Sequence, residues 1–308
     1  MSSSDSRIAS VGSLLRDAAI LIRDSGSETP RLDAELLLGH VLRVDRATLL
    51  AAPEASVGEH HAALFADLVA RRAKGEPVAY VRGIKEFYGL ALSVDSRALI
   101  PRPETELVVD LGLARLVQAL TVAPRARGQG PLLIWDVGTG SGAICVALAA
   151  ACRRRGYAAD IRLIATDSSP DALALAIENA VAHGVADMIE FAVADLTALA
   201  DARPADILLA NLPYVPSGDI AELPIAASFE PVAALDGGPD GLSVIGRLLA
   251  DLPAALTRAG VALLEIGSDQ DSAVLRLVAS ELPGWSAAIH NDLSGQPRVA
   301  ELAGPAAE

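Results

Sequence analysis

Four residues, Asn211-Leu212-Pro213-Tyr214, follow the apolar β-type run Ile207-Leu208-Leu209-Ala210. That order places them where a buried strand leaves its sheet, and ligands of open parallel sheets bind beyond the carboxyl ends of the strands. The Asn211 side-chain oxygen and the Leu212 main-chain carbonyl are two acceptors, enough to hold both N–H bonds of a planar amide or amine. Pro213 biases Leu212 towards an extended conformation, which gives that carbonyl a set direction. Tyr214 can stack on the flat face of the held group. An amide nitrogen needs no general base before it is alkylated, because its proton becomes acidic only once the nitrogen is substituted. Catalysis is then orientation and stabilisation of developing charge. The same stretch also reads as a β-to-loop turn whose Asn and Tyr cap backbone groups.

A second constellation is Asp136-Val137-Gly138-Thr139-Gly140-Ser141-Gly142, between an apolar run and a helical pattern from Ala143 to Ala151. Glycines there permit a tight turn and close approach of the backbone to a ligand. With Ala143 the loop also fits the dinucleotide fingerprint G-x-G-x-x-A, so an NAD-dependent oxidoreductase is one reading. Asp136 is positioned to pair with the ammonium of an amino-acid-bearing cofactor. Asp167 closes the next apolar run and suits two ribose hydroxyls, and Asp195 ends the third and can meet an adenine amine. Three acids at successive strand ends suit S-adenosylmethionine, a cation without phosphates. Taken singly, each acid also reads as an N-cap of the helix that follows.

The elements that must hold these residues are legible from periodicity. Residues 12 to about 74 read as helices: Leu14, Leu15, Ala18 and Leu21 recur at helical spacing. Thr29-Pro30 reads as an N-cap with a first-turn proline, and Ser56-Val57-Gly58-Glu59 as a capping box. Gly75 should end that last helix, with Arg71, Arg72 and Lys74 forming either a solvated helix end or a docking patch. From Val78 to Val94 the β-branched and aromatic residues predict strands or a hairpin. Ile100-Pro101-Arg102-Pro103-Glu104-Thr105-Glu106 is a rigid entry to a helix through Val108, Leu111 and Leu113. Strands near 132–137, 161–166, 189–193, 205–210 and 261–266 alternate with helices, as in a parallel sheet with crossovers. Residues 286–291 and 297–302 flank Leu293-Ser294-Gly295-Gln296 and predict an antiparallel pair, while 125–130 read as a connector. The division expected is a helical docking domain at 1–76, a β-hairpin linker at 77–100 and a catalytic domain at 101–308.

Of the 308 residues, 52% are hydrophobic, which points to an ordered globular protein. No apolar run approaches the roughly 18 residues that span a bilayer, and no signal-peptide core follows the Ser-rich start. A cytoplasmic protein without membrane partners is expected. If Cys145 and Cys152 share a helix, they stand roughly 10 Å apart, beyond disulfide reach; neither they nor the five histidines form a metal-ligand spacing. Residues 1–95 carry 11 Lys+Arg against 13 Asp+Glu, and residues 96–308 carry 14 against 26. So acidic a second part repels a phosphate backbone, which argues against nucleic acid as principal substrate.

Together, the Ile100–Glu106 stretch, the Asp136–Gly142 loop, Asn211 to Pro216, and Phe229-Glu230-Pro231 leading to Ala234-Leu235-Asp236-Gly237-Gly238-Pro239-Asp240-Gly241 resemble the release factor glutamine methyltransferase family, the protein-(glutamine-N5) methyltransferases of the PrmC/HemK type. The resemblance covers nearly the whole chain. It implies a class I S-adenosylmethionine-dependent methyltransferase fold: a Rossmann-like, mostly parallel sheet with an antiparallel C-terminal hairpin, plus a small N-terminal helical bundle. The implied reaction is methylation of the glutamine in the Gly-Gly-Gln loop of class I peptide chain release factors. Asp136, Gly138, Thr139, Gly140, Ser141, Gly142, Asp167, Asp195, Leu196 and Asn211 would hold the cofactor. Asn211, Leu212, Pro213 and Tyr214 would hold the glutamine, Asn211 and Tyr214 being the catalytic pair, with Phe87 and Pro103 lining its pocket. The family usually shows Asn-Pro-Pro-Tyr where this chain has Leu212. Asn-Leu-Pro-Tyr is also similar to the ribosomal-RNA adenine dimethyltransferases, so an adenine-N6 methyltransferase acting on RNA or DNA is the alternative.

Overall fold

The computed structural model describes residues 9–122, 130–200 and 202–305. The Ser-rich start and, apart from Gly130, the connector at 125–130 lie outside the described residues. The chain divides into two compact units, Met1–Ile84 with Leu223–Phe229, and Lys85–Glu222 with Glu230–Glu308. The boundary after Ile84 lies within the stretch 77–100 expected as a linker.

The first unit is helical: α1 (Val11–Arg23), α2 (Pro30–Leu42), α3 (Arg46–Ala51), α4 (Glu59–Arg72) and α5 (Val78–Arg82). Its core collects Leu15, Ala18, Ile22, Leu37, Leu38, Phe65 and Val69. The buried stripe of α1 is Val11, Leu15, Ala18 and Ile22, whereas Leu21 is 56% exposed. The expected stripe was thus rotated by about one position. The capping box forms at Ser10 and Ser13 of α1, not at Ser56. Gly58 is the N-cap of α4 and makes no side-chain cap, because Ser56 lies two residues too early and bridges Ser10 instead.

The basic trio at the end of α4 also differs from its reading as a helix end or patch. Arg72 is buried and its Nε donates to Asp33 Oδ2 at 2.7 Å, while Arg71 pairs with Glu76. Removing one partner of a buried pair leaves the other uncompensated, so Arg72 holds α4 to α2. Gly75 has φ +96°, and a Cβ there would lie 2.9 Å from Ile225. Residues 78–82 form α5 rather than strand; Gly83, at φ +69°, ends that turn.

Strands β1 (Ile84–Phe87) and β2 (Leu90–Ser93) pair through the two-residue turn Tyr88-Gly89, both at positive φ, the geometry that matches strand twist. Helix α6 (Glu106–Val122) leads to the main sheet. The sheet takes β3 (Leu132–Val137), β4 (Ile161–Asp167), β5 (Ile189–Val193), β6 (Ala205–Ala210), β7 (Leu256–Glu265), β8 (Ser286–Asn291) and β9 (Pro297–Ala303) in the order β5-β4-β3-β6-β7-β9-β8. All pairings are parallel except β7 with β9 and β9 with β8. Every strand expected of the main sheet is present; β7 begins at Leu256, earlier than expected, with an irregular register opposite Ala205.

Crossovers are α7 (Ala143–Arg154), α8 (Pro170–Ala182), α9 (Ser243–Ala255) and α10 (Asp271–Glu281). Side chains alternate between the two faces of the sheet. Ile134, Leu163, Ile207 and Leu263 pack with α6 and α7, and Trp135, Leu208, Ala262 and Leu264 with α9 and α10. Cys145 and Cys152 are free and buried on α7. The strand order reverses direction between β3 and β6, which opens a crevice at their carboxyl ends. No helix among the described residues is long and apolar enough to cross a membrane.

Candidate active site

At that switch point lies a cavity of about 340 Å³, within the range of small-ligand sites. Its wall contains Gly138, Gly140, Asp167, Asp195, Leu196, Asn211, Leu212 and Pro213, brought together from four successive strand ends. Asp167 is fixed by the loop it faces: Oδ2 accepts from Gly140 N at 2.8 Å and Oδ1 from Ser169 N at 2.9 Å. Leu196 is held at φ +51°, costly for a non-glycine residue. Thr166 Oγ1 steadies that corner, accepting from Trp135 Nε1 at 3.0 Å and donating to the Leu196 carbonyl at 3.2 Å. Asp195 pairs with Arg247, both well exposed.

Other expected site residues stand behind this wall or away from it. Asp136 is fully buried, its Oδ2 accepting from Thr139 Oγ1 at 2.6 Å and from Cys145 N at 3.1 Å. Burial pushes its carboxyl up to about 6. It braces the glycine loop against α7 and does not line the cavity. Thr139 and Ser141 are likewise buried. Gly142 is the left-handed N-cap of α7, where a Cβ would lie 3.0 Å from Ala176 Cβ of α8, so its smallness serves helix packing. Phe87, the last residue of β1, belongs to the core, and Pro103 is exposed at the start of a short turn. Neither lines the cavity.

Asn211 Nδ2 donates to Thr105 Oγ1 at 3.1 Å, which leaves Oδ1 available as an acceptor where the residue meets the cavity. Tyr214 turns its hydroxyl to Glu265 Oε1 at 3.4 Å instead of lining that wall. Burial, then the Glu265 charge, pushes the phenol up to about 12. The backbone here is clasped by a segment far along the chain. Val215 N donates to the Leu235 carbonyl and Gly237 N to the Val215 carbonyl. A Cβ at Gly237 would lie 2.8 Å from the Pro213 oxygen, and one at Gly241 2.3 Å from the Tyr214 oxygen. Gln270 Nε2 donates to the same Tyr214 oxygen at 2.9 Å.

Sequence reasoning missed two further walls, Arg97-Ala98-Leu99 and Pro231 with Ala233 and Ala234. Glu230 ties the segments carrying them: its carboxylate accepts from Ile100 N at 3.0 Å and from Arg102 at 2.6 Å. The only signal was the acid in Phe229-Glu230-Pro231, which has no local partner and so needs a distant one.

A model of the PrmC N-terminal domain matches residues 13–83, and a methyltransferase domain model matches residues 134–226. The release factor glutamine methyltransferase of Nitratidesulfovibrio vulgaris is 38% identical over 245 residues, covering 79% of this chain and 77% of its own. The chain belongs to the release factor glutamine methyltransferase family. The relative of that name from Deinococcus radiodurans is 35% identical over 287 residues, covering 92% of this chain and 95% of its own. Among solved structures, the hMettl16 catalytic domain in complex with MAT2A 3′UTR hairpin 6 is similar at a TM-score of 0.54 and 14% identity, covering 77% of this chain and 82% of that one; this is a likeness of fold. The fold is that of the class I methyltransferases.

Within a release factor glutamine methyltransferase, Leu212 at the position usually held by Pro has a local explanation. Its side chain is 95% covered and fills the space beside Gly138.

Proposed function

We propose that the chain binds S-adenosylmethionine in this cavity and methylates the side-chain nitrogen of the glutamine in the Gly-Gly-Gln loop of class I release factors. The observation that carries the reading is one cavity lined by both Gly138-Gly140-Asp167-Asp195-Leu196 and Asn211-Leu212-Pro213. The residues fit the cofactor. Gly140 bares its main chain to the wall, where a Cβ would meet only Ala98, at 3.9 Å. Asp167 offers its carboxylate to ribose hydroxyls, and Leu99, Leu196 and Val244 offer apolar surface to a base. Both arginines of the wall are engaged, Arg97 by Asp95 and Glu178 and Arg247 by Asp195. The surface pair Asp195–Arg247 is weak, so Asp195 can exchange partners for an adenine amine.

When bound, S-adenosylmethionine supplies an electrophilic methyl group. The chain supplies orientation: Asn211 Oδ1 and the Leu212 carbonyl accept the two carboxamide N–H bonds and present the nitrogen to the cavity. Asp136, buried behind the loop, shapes the site from outside it. Release factors named for the relatives are the partner this reading assigns, with the acidic net charge disfavouring a nucleic acid.

The test is labelled methyl transfer with purified release factor, with its loop Gln→Ala variant, and with total RNA. Label is expected in the first alone. Label in RNA and none in release factor would select the adenine-N6 alternative. Asn211→Ala should abolish transfer and spare cofactor affinity; retained transfer would remove Asn211 from the grip.

A further inference from the structure

At the far end of the Asn211–Tyr214 turn, the peptide unit joining Tyr214 to Val215 is held on both edges by residues distant in the chain. Its carbonyl, the Tyr214 oxygen, accepts from Gln270 Nε2 at 2.9 Å. Its N–H, on Val215, donates to the Leu235 carbonyl at 3.0 Å. Gln270 is 8% exposed and follows β7 as the N-cap of α10; it does not line the cavity. The other end of its side chain is also engaged, Oε1 accepting from Gly267 N at 2.8 Å. A backbone N–H only donates and a carbonyl only accepts, so these two partners leave the Gln270 amide a single orientation.

Fixing that unit restrains the Leu212 carbonyl. A carbonyl ordinarily swings by turning ψ of its own residue against φ of the next, which leaves the rest of the chain in place. Here the next residue is Pro213, whose ring locks φ at about −65°, and the compensating turn is denied. The Leu212 carbonyl can then change direction only if the chain beyond Pro213 moves with it. Upstream, Ala210 is paired in the sheet with Val137 of β3 and Leu264 of β7, and the Leu212 side chain is wedged beside Gly138. Downstream, the anchored point is the Tyr214–Val215 unit. Bonds on opposite edges fix the plane of that unit, whereas one alone lets it pivot. The clasp is closely drawn: a Cβ on Gly241 would lie 2.8 Å from Gln270 Nε2.

We propose that Gln270 is a positioning residue for methyl transfer: by fixing the Tyr214 carbonyl it holds, through Pro213, the direction in which the Leu212 carbonyl meets the substrate carboxamide. The inference rests on the reading of Asn211 and Leu212 as acceptors given above. Gln270 acts without touching substrate or cofactor. Gly267 belongs to the same device, because its N–H decides which end of the Gln270 amide is left to donate.

The experiment is kcat for release-factor methylation by the full chain at saturating substrates, at a temperature where circular dichroism shows each variant folded. Cofactor affinity is measured on the same samples by calorimetry. Gln270→Met keeps the length of the side chain and loses both bonds. Gln270→Glu keeps an acceptor for Gly267 N, but an ionised carboxylate cannot donate to the Tyr214 oxygen. Each should lower kcat roughly 10- to 100-fold, the effect of a small misplacement at the reacting centre. Cofactor affinity should stay near the wild-type value, because the walls at Gly138, Asp167 and Asp195 are untouched. A residue serving the fold alone would lower the melting temperature and leave kcat of the folded enzyme unchanged. Wild-type kcat in the folded variants, or a loss confined to cofactor affinity, overturns the proposal. Should Gln270→Met fold poorly, Gln270→Glu decides alone. Asn211→Ala in the same assay separates the two readings: transfer retained there means that the grip itself has failed, and not merely its support.

Discussion

Leu212 and Gly138 occupy complementary space: a Cβ built on Gly138 would lie 2.9 Å from Leu212 Cδ2. The glycine loop after β3 and the Asn211-Leu212 turn after β6 are thus packed against each other, and each limits what the other can be.

Gly138→Ala should therefore weaken the site twice. At φ +70° an alanine is strained, and its methyl group meets Leu212. A loss of about 1–3 kcal/mol in stability is expected, together with weaker cofactor binding. Thermal unfolding and calorimetric titration check both. The double variant Gly138→Ala with Leu212→Ala should recover part of the stability, because the second change removes the clash; a purely additive loss would show that the two residues do not share this space.

Glu230 joins the segments that carry Ala98-Leu99 and Pro231-Ala234 through Ile100 N and Arg102. Glu230→Ala leaves a buried N–H without a partner, a cost of about 1–3 kcal/mol, and frees both walls. Cofactor affinity should fall by roughly tenfold or more for each 1.4 kcal/mol lost from the bound geometry. Arg102→Ala keeps the bond to Ile100 but leaves the buried Glu230 carboxylate without its cation, so it too should lower stability and cofactor affinity. Wild-type values in both variants would show that Glu230 does not hold the two segments.

Asp136 carries a carboxyl raised to about 6 by burial. A carboxyl raised in the folded state contributes stability that is fully present below its unfolded value near 3.8 and is lost as pH rises through about 6. Stability from this group should thus fall between about pH 4 and 6. In Asp136→Asn that portion of the pH dependence should vanish, as read from denaturant midpoints across the window. An unchanged profile would assign the dependence to other acids.

The sheet was legible because its strands are short apolar runs separated by polar turns, and such runs have few other places to go. The same holds for the crossing helices and the final hairpin. The first helix was read one position off because Leu14 and Leu21 match the helical period as well as Ile22 does; only packing against α2 chooses among them. Val78 to Arg82 reads as strand on residue type, yet five residues closed by Gly83 fit one helical turn whose Ala79, Tyr80 and Val81 are buried.

The glycine loop, the acids after β4 and β5, and the Asn211 turn could be found along the chain because each is a local motif at a strand end. Asp136 could not be told from a ligand in that way, since an acid beside glycines looks alike whether it faces a cavity or braces a loop. Burial separates the two, and burial is a property of the neighbours. For the same reason Glu265 carried no signal, and Glu230 only that of an acid without a local partner: their partners lie at Ile100, Arg102 and Tyr214. Local order of residue types dictates which strands and turns form. Which acids end up against solvent, loop or cavity depends on distances between segments far apart in the chain, and these arise only when the sheet closes around them.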